Sequence, residues 1–255
     1  MIRVNTVELE AKVKQMYRAV AQNPHGEFHF EMGRAMAERL GYAAADLDRI
    51  PSDAIDSFAG VGYFFDLAEL RLGETVLDLG SGSGMDTFVA SLKVGPSGRI
   101  IGIDMTDEQL AKAERLRSTL GFGNVSYQKG YIEETAVETG SIDCVISNGV
   151  INLAPDKERV FREVVRVLKS GGRLAIADIV TDSALTESIV CNADLWAACI
   201  GGAAQRDAYR EAMETAGLEV LTVKENPSYQ FISSGAQGAT KKFGVKSVSV
   251  LARKP

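Results

Sequence analysis

Apolar side chains in the first part of the chain recur every three or four residues, which is the spacing of an amphipathic helix. The run consists of Val7, Leu9, Val13, Met16, Tyr17 and Val20. Asn23-Pro24 ends it, a second helix is predicted from Glu31 to Leu40, and a glycine-spaced linker follows from Phe58 to Tyr63. We therefore expect residues 1–72 to form a helical cap and a linker.

From Gly73 the pattern changes to short apolar runs separated by amphipathic stretches, which is typical of parallel strands covered on both faces. The predicted strands are Thr75 to Leu79, Arg99 to Asp104, Asn124 to Gln128, Ile142 to Ser147, Arg173 to Ile179, Leu218 to Lys224 and Val245 to Ala252. The predicted helices are Met85 to Lys93, a helix capped by Thr106 and ending at Leu120, Pro155 to Leu168, Leu185 to Ile200, and Asp207 to Ala216. We expect an α/β fold, with a doubly wound, mostly parallel, seven-stranded Rossmann-like sheet over residues 73–255 and a helical insert at about 183–216. The polar stretch from Asn226 to Gly244 is predicted to be a long loop.

Composition narrows the possible partners. The chain has 255 residues, with 28 Lys and Arg against 34 Asp and Glu, which gives a net charge of −6. Because phosphate binding needs a basic face, we expect no nucleic-acid partner. No apolar stretch is long enough to predict a membrane span, and the first residues lack the apolar segment of a secretory signal. A small-molecule partner and a cytoplasmic location are expected, with no indication of an oligomeric state.

A glycine-rich loop follows the first predicted strand. It reads Asp78-Leu79-Gly80-Ser81-Gly82-Ser83-Gly84, with a helix opening at Met85. Its G-x-G-x-G spacing differs from the G-x-G-x-x-G of dinucleotide sites, so a pyrophosphate ligand is disfavoured. Asp104 ends the second strand, where a carboxylate can accept both ribose hydroxyls. A nucleoside without phosphates fits best, as in S-adenosylmethionine, although glycines that only turn a strand into a helix remain the alternative.

The sequence from about Glu74 to Ala252 resembles the class I, S-adenosylmethionine-dependent methyltransferases. The loop after Asp78 is similar to their first motif, and Ile103-Asp104 is similar to their ribose-binding motif. The resemblance implies that the segment Gly130-Tyr131-Ile132-Glu133 contacts adenine.

Longer strings resemble the arsenite methyltransferases in particular. These are Gly80 to Asp86, Ile103 to Thr106, Ser147 to Lys157 and Trp196 to Ala203. The motifs and the resemblance together give a candidate cofactor site of Asp78, Gly80, Ser81, Gly82, Gly84, Met85, Asp104, Met105, Tyr131, Ile132, Glu133, Ser147 and Asn148. The resemblance implies methyl transfer to trivalent arsenic or a related thiol-bound metalloid.

The arsenite methyltransferases hold arsenic with cysteine thiolates, which are the soft ligands that a thiophilic centre prefers. This chain departs from the family at two positions, because Val61 and Gly149 stand where the resemblance places cysteines. Cys199 matches a family thiol and is therefore a candidate catalytic residue. Cys144 is expected to be buried in a strand, and Cys191 lies about 12 Å from Cys199 along a regular helix, too far to share one arsenic.

Asn148 is the second candidate catalytic residue. It follows the fourth predicted strand, at the sheet edge where ligands bind in such folds, and its amide would orient a methyl acceptor. No metal site is predicted, because His25 and His29 flank the helix-breaking Gly26 and lack a third ligand. Two other functions remain open. One is a methyltransferase for a small organic molecule, for which Gly149 and Val61 make room, and the other is a non-catalytic S-adenosylmethionine-binding module.

Overall fold

A central sheet carries helices on both of its faces in the computed structural model, which describes residues 5–190, 192, 195–196 and 200–255. The strands are β1 (Thr75–Leu79), β2 (Arg99–Asp104), β3 (Val125–Lys129), β4 (Ile142–Asn148), β5 (Leu168–Thr181), β6 (Ala204–Gln205), β7 (Glu219–Glu225) and β8 (Lys246–Arg253). The helices are α1 (Thr6–Gln22), α2 (Arg34–Leu40), α3 (Ala44–Leu47), α4 (Ser52–Asp56), α5 (Phe65–Ala68), α6 (Met85–Val94), α7 (Asp107–Leu120), α8 (Lys157–Val167), α9 (Glu187–Val190), α10 (Arg206–Ala216) and α11 (Ser234–Phe243). A 3₁₀ turn covers Ile151–Leu153.

The seven longer strands follow the order β3-β2-β1-β4-β5-β8-β7, and the two-residue β6 pairs with β5. Neighbouring strands from β3 to β5 are parallel, whereas β8 is antiparallel to both β5 and β7. The chain runs outward from β1 to β3 and then returns to β4 on the other side of β1. Ligands bind at such a reversal, outside the carboxyl ends of the two central strands. The expected doubly wound, mostly parallel sheet is confirmed.

The core has two layers because side chains alternate across the strands. On one face, Val76 and Cys144 pack with α6 and the N-terminal helices. On the other face, Leu77 and Val145 pack with α8 and α10. The strands are therefore buried on both faces, as their continuous apolar runs predict.

The cap helices begin and end at residues with clear local roles. The Asn5 side chain accepts hydrogen bonds from the backbone N–H groups of Val7 and Glu8 at the start of α1. Gly41 ends α2 in the left-handed conformation, with φ of 119°. α1 then packs along α7, so the cap lies over the sheet edge where the ligand crevice opens.

Several sequence predictions differ from the structure, and α2 begins at Arg34 rather than Glu31. Helix α8 begins at Lys157 rather than Pro155, because the Asp156 side chain accepts the N–H of Arg159 as its cap. Strand β5 begins at Leu168, which pairs with Ile142, so the preceding helix ends one residue earlier than predicted. The predicted loop from Asn226 to Gly244 is wrong over α11, where Ala236, Ala239 and Phe243 form a buried stripe at helical spacing.

The predicted helix from Leu185 to Ile200 is described only in part. α9 covers four of its residues, and Leu195 and Trp196 are also helical. Cys191 and Cys199 lie outside the described residues. No helix in the described ranges is long and apolar enough to cross a membrane.

Candidate functional site

A cavity of about 250 Å³ opens at the carboxyl ends of β1, β2 and β4, at the reversal of strand order. Of the thirteen predicted cofactor residues, those that line it are Asp78, Gly80, Ser81, Gly82, Asp104, Met105, Tyr131, Ile132, Glu133 and Asn148. The cap supplies a further wall from α1 and from the linker segment Ser57 to Gly60. The fold therefore brings most of the predicted site into one pocket.

Three predicted residues do not line the cavity. Ser147 is buried and donates its hydroxyl to the Leu79 carbonyl across the strand pair, at 2.7 Å. Gly84 and Met85 form the turn into α6, and a Cβ atom at Gly84 would lie 2.2 Å from the hydroxyl oxygen of Tyr127. These three residues support the backbone on either side of the glycine loop rather than facing the cavity. Direct cofactor contact by them stays a prediction.

The glycine loop approaches its neighbours too closely for side chains. Gly80 has φ of 76°, and a Cβ atom there would lie 2.4 Å from a methyl group of Val150. Gly82 has φ of 52° and lines the cavity. A Cβ atom there would have ordinary van der Waals contact with Gln109, at 3.7 Å. Left-handed backbone at both positions favours glycine, and the absence of side chains lets a ligand approach the backbone of the turn.

Two polar groups in the pocket have no hydrogen-bond partner among the residues that the structure describes. They are the Oδ2 atom of Asp78 and the hydroxyl of Ser81, and both residues are buried. Burial raises the pKa of Asp78 well above its usual value, and the nearby carboxylates of Asp86 and Asp104 raise it further. A ligand with a cationic amino group would satisfy Asp78, as buried polar groups require. The pocket thus fits the amino acid end of S-adenosylmethionine.

Asp104 holds the turn that receives the ribose in the predicted site. Its two carboxylate oxygens accept the backbone N–H groups of Gly82, at 2.9 Å, and Thr106, at 2.8 Å. Desolvation raises the pKa of this carboxyl group, while these hydrogen bonds lower it. Each oxygen retains a second lone pair, so Asp104 can still accept ribose hydroxyls.

The cap is tied to the cofactor segments by polar contacts. The Tyr131 hydroxyl donates to Glu10 on α1 at 2.7 Å, and Lys14 donates to the same carboxylate at 2.6 Å. Gln109 on α7 donates to the Tyr17 carbonyl at 2.8 Å. The cap therefore contacts the predicted adenine segment directly.

Asn148 stands at the centre of a hydrogen-bond network. Its Oδ1 accepts the N–H groups of Val61, at 2.7 Å, and Gly62, at 3.3 Å. Its Nδ2 lies 3.1 Å from each of three acceptors, the Tyr42 hydroxyl, the Gly62 carbonyl and the Asp86 carboxylate. Since the amide has only two hydrogens, its donor capacity is taken up by the protein. A direct catalytic role for Asn148 stays a prediction. Its contacts join the linker to Tyr42 and Asp86.

The linker segment Gly60-Val61-Gly62 passes directly over this network. A Cβ atom at Gly60 would lie 2.7 Å from the Asn148 Cγ, and one at Gly62 would lie 2.2 Å from the side chain of Asn226. The Ser247 hydroxyl on β8 donates to the Val61 carbonyl at 2.6 Å. The linker is thus held from both sides, and glycine is required where it crosses.

Val61 and Gly149, the positions at which the resemblance places cysteines, are neighbours in space. A Cβ atom at Gly149 would lie 3.1 Å from Cγ1 of Val61. Val61 is buried, and Gly149 has φ of 70°. Here the two positions form an apolar contact instead of a thiol pair.

Cys144 cannot replace these thiols. It lies in the middle of β4, fully buried, and burial raises the pKa of its thiol to about 12. A thiol with this pKa stays protonated at neutral pH and is a poor ligand. The role of Cys199 stays a prediction, since it lies outside the described residues.

Asp86 is a pocket residue that the sequence analysis did not select. It lies in the first turn of α6, and burial raises its pKa to about 6, while hydrogen bonds from Tyr42 and Asn148 lower it. An acid two residues after the last glycine of the loop was the available signal in the sequence.

The strand order, the G-x-G-x-G loop at the end of β1 and the acidic residue at the end of β2 are together those of the class I methyltransferase fold.

Comparisons with known proteins agree with this class. The methyltransferase domain family matches residues 70–217. An arsenite methyltransferase from Halobacterium salinarum is 38% identical over 220 residues, which is 86% of this chain and 56% of that protein. The chain thus spans about half the length of this relative, and less of several others. The chain belongs to the methyltransferase domain family.

Solved structures give the same picture. An arsenic(III) S-adenosylmethionine methyltransferase from Chlamydomonas reinhardtii superposes with a TM-score of 0.63 at 30% identity, over 88% of this chain and 74% of that chain. A geranyl diphosphate C-methyltransferase from Streptomyces coelicolor superposes with a TM-score of 0.69 over 95% of this chain and 98% of that chain. At 17% identity, this second likeness shows the fold alone.

Proposed function

We propose that this protein transfers a methyl group from S-adenosylmethionine to trivalent arsenic or a related thiol-bound metalloid. The observation that carries the acceptor is the 38% identity with an arsenite methyltransferase over 86% of the chain. It is supported by the strings around the glycine loop, Asp104 and Ser147 to Lys157, which resemble that family.

The residues on the cofactor side would act by holding and orienting. Asp78 would accept the ammonium group, Asp104 the ribose hydroxyls, and the segment from Tyr131 to Glu133 would contact adenine. When bound, S-adenosylmethionine supplies an electrophilic methyl group on a sulfonium. The protein's main contribution is then to fix the acceptor in line with that methyl group, about 3 Å away. Because a trivalent arsenic lone pair carries no proton, no general base is required.

On the acceptor side, one protein thiol, Cys199, would bind arsenic, and small thiols from solution would complete its coordination. Soft sulfur ligands of either origin suit arsenic. This assignment explains why a chain with Val61 and Gly149 at two cysteine positions still carries the rest of the family's strings.

A second candidate function is methyl transfer to a small organic molecule. The specific observation in its favour is the contact between Val61 and Gly149, where a valine and a glycine stand at the two positions at which the resemblance places thiols. This apolar contact offers arsenic none of the soft sulfur ligands that it prefers.

The deciding experiment measures labelled methyl transfer to arsenite in the presence of excess thiol, with cofactor binding measured in the same sample. We expect methylated arsenic from the wild type and from Cys144→Ala, which replaces a buried thiol by another small apolar side chain. Cys199→Ser should lose at least about a hundredfold in activity, since its hydroxyl cannot replace a soft ligand.

Three other outcomes would redirect the assignment. Bound cofactor without methylated arsenic would favour an organic acceptor. Turnover that survives in Cys199→Ser would exclude a protein thiol from the reaction. Binding without turnover on any acceptor would leave a non-catalytic binding module.

The remaining parts of the proposal concern organisation. We infer that residues 1–72 act as a cap on a methyltransferase domain of residues 73–255, with an insert at about 183–216. The polar ties from Glu10 and Lys14 to Tyr131 support a cap that covers the cofactor. A cytoplasmic location, with no nucleic-acid partner, is inferred from the sparse cysteines and the acidic net charge.

A further inference from the structure

Asp86 connects the cap to the centre of the sheet. Its Oδ1 accepts the Tyr42 hydroxyl at 2.6 Å, and its Oδ2 accepts the Asn148 amide at 3.1 Å. Tyr42 follows α2 of the cap, Asp86 lies on α6, and Asn148 ends β4. All three side chains are buried or half-buried, so the contacts are shielded from water.

The acceptor-only character of this carboxylate sets the orientation of its neighbour. Because Asp86 can only accept, Asn148 must present its Nδ2 to it and turn its Oδ1 to the opposite side. On that side, Oδ1 receives the N–H groups of Val61 and Gly62. The Asp86 carboxylate and the Gly62 carbonyl, which also accepts from Nδ2 at 3.1 Å, therefore together set which way the amide faces the linker.

The linker borders the cavity. Gly60 and Phe58 line it, and the buried Val61 lies against the position of Gly149, where the resemblance places a thiol. If the Asn148 amide turned over, its Nδ2 would face two N–H donors, and buried donors without acceptors are strongly disfavoured. The linker would then have to move.

We propose that Asp86 is a positioning residue for the methyl acceptor, which acts by orienting Asn148 and thereby fixing the linker segment Gly60-Val61-Gly62. This inference rests on the proposed function, because its kinetic test measures the KM for a methyl acceptor. Its second test, hydrogen exchange of the linker, does not require turnover. It differs from cofactor binding, because both Asp86 oxygens are already engaged by protein donors, whereas Asp78 is unpartnered.

The first test is Asp86→Asn, studied at saturating cofactor with arsenite and excess thiol. Asparagine can accept the Tyr42 hydroxyl but then offers an NH₂ group to the NH₂ group of Asn148. We expect the acceptor KM to rise about tenfold or more, while the cofactor Kd changes by less than about threefold. Tyr42→Phe leaves the carboxylate in place but removes one of its anchors, so a smaller rise in KM is expected.

The chain offers a matched control in Asp178. This carboxylate is also buried, has a pKa raised to about 6 by burial, and accepts a tyrosine hydroxyl, that of Tyr209, at 2.6 Å. It does not line the cavity. Asp178→Asn should therefore lower the thermal midpoint by an amount similar to that of Asp86→Asn and leave the acceptor KM unchanged.

A second readout does not depend on turnover. Amide hydrogen exchange at Val61 and Gly62 should accelerate at least about tenfold in Asp86→Asn and remain slow in Asp178→Asn. If the wild type methylates no arsenic, the arsenic assignment fails and this exchange measurement alone decides the role of Asp86. Unchanged exchange, or a cofactor Kd that rises as much as the acceptor KM, would overturn the proposal.

Discussion

The ammonium nitrogen of Lys157 lies 5.0 Å from the ring centroid of Trp196, a cation–π contact inside the protein. The same ammonium donates to the carbonyls of Asn152, at 3.2 Å, and Ala154, at 2.9 Å. Burial lowers the pKa of Lys157 to about 8. The helical residue Trp196, three positions before Cys199, is thus fastened to the turn that follows β4.

This contact makes Trp196, the chain's single tryptophan, a reporter of Lys157. We expect its fluorescence to titrate with a midpoint near pH 8 and the transition to disappear in Lys157→Met. The control is Lys241→Met, at an exposed position on α11, which should keep the transition. A titration that persists unchanged in Lys157→Met would assign the signal to another group.

The same lysine has a defined effect on stability. Because its pKa in the folded protein lies below the ordinary 10.5, the unfolded chain binds more protons between pH 8 and 10.5. The contribution of Lys157 therefore makes the free energy of unfolding rise with pH across that window. Urea unfolding of wild type and Lys157→Met across the window measures it, and equal pH slopes would contradict the assignment.

Restoring the two family thiols should create an arsenic site. In Val61→Cys/Gly149→Cys the two sulfur atoms would lie within a few Å, so we expect arsenite affinity to rise about tenfold or more. The left-handed backbone at Gly149 should cost about 1–2 kcal/mol of stability for any side chain there. The double serine variant is the control, because it has the same strain without thiols. Calorimetric titration with arsenite separates the two, and equal affinities would count against a thiol site.

Cofactor binding should depend on pH through Asp78. Its raised pKa means that the carboxyl group takes up its proton at a higher pH than an ordinary aspartate, while an ammonium ligand needs the carboxylate. We expect the cofactor Kd to rise up to about tenfold for each pH unit below the raised pKa, with proton release on binding. Titration in two buffers of different ionisation enthalpy counts the protons, and Asp78→Asn should bind weakly without this dependence.

In the cofactor-free protein, the stability effect of these acids has the opposite sign to that of an ion-paired carboxylate. The pKa of Asp86 rises from 3.8 to about 6 on folding, so the folded chain binds more protons in that interval. Its contribution is greatest below pH 3.8 and is lost as the pH rises through about 6. The pH slope of unfolding in Asp86→Asn should lack this component, and an identical slope would contradict it.

Because the linker crosses Asn148 closely at Gly60, replacing Gly60 by alanine should destabilise the protein much more than the same change at Gly123. A Cβ atom at Gly60 would lie 2.3 Å from the Phe58 ring, whereas nothing lies within 4 Å of one at Gly123. Neither glycine has a left-handed backbone. We expect Gly60→Ala to cost about 1–3 kcal/mol through overpacking and to lower activity, while Gly123→Ala does neither. Chemical unfolding and the methyl-transfer assay are sufficient to measure both.

Local patterns predicted the sheet and the glycine loop that borders the cavity. The bounds of β1 and β2 follow directly from their apolar runs, and Asp104 stands where a strand of that length must end. The glycine loop could be identified because its chemistry lies within seven consecutive residues. In contrast, α11 was missed because Ser and Gly mask its short apolar stripe.

The rest of the site depends on contacts between distant parts of the chain. Tyr42 meets Asp86 across 44 positions and Asn148 across 106. No periodicity within a window of a dozen residues encodes such a meeting, since it follows from how the cap docks on the sheet. Successive side chains on a strand point to opposite faces, so Asn148 lines the cavity while Ser147 donates its hydroxyl to the Leu79 carbonyl.

The hydroxyls of Ser247 and Ser249 on β8 donate to the carbonyls of Val61 and Tyr63, each across 186 positions. The linker that crosses Asn148 is therefore held in place only when β8 has joined the sheet. A change that displaces β8 would release the linker, although the two segments are remote in the sequence.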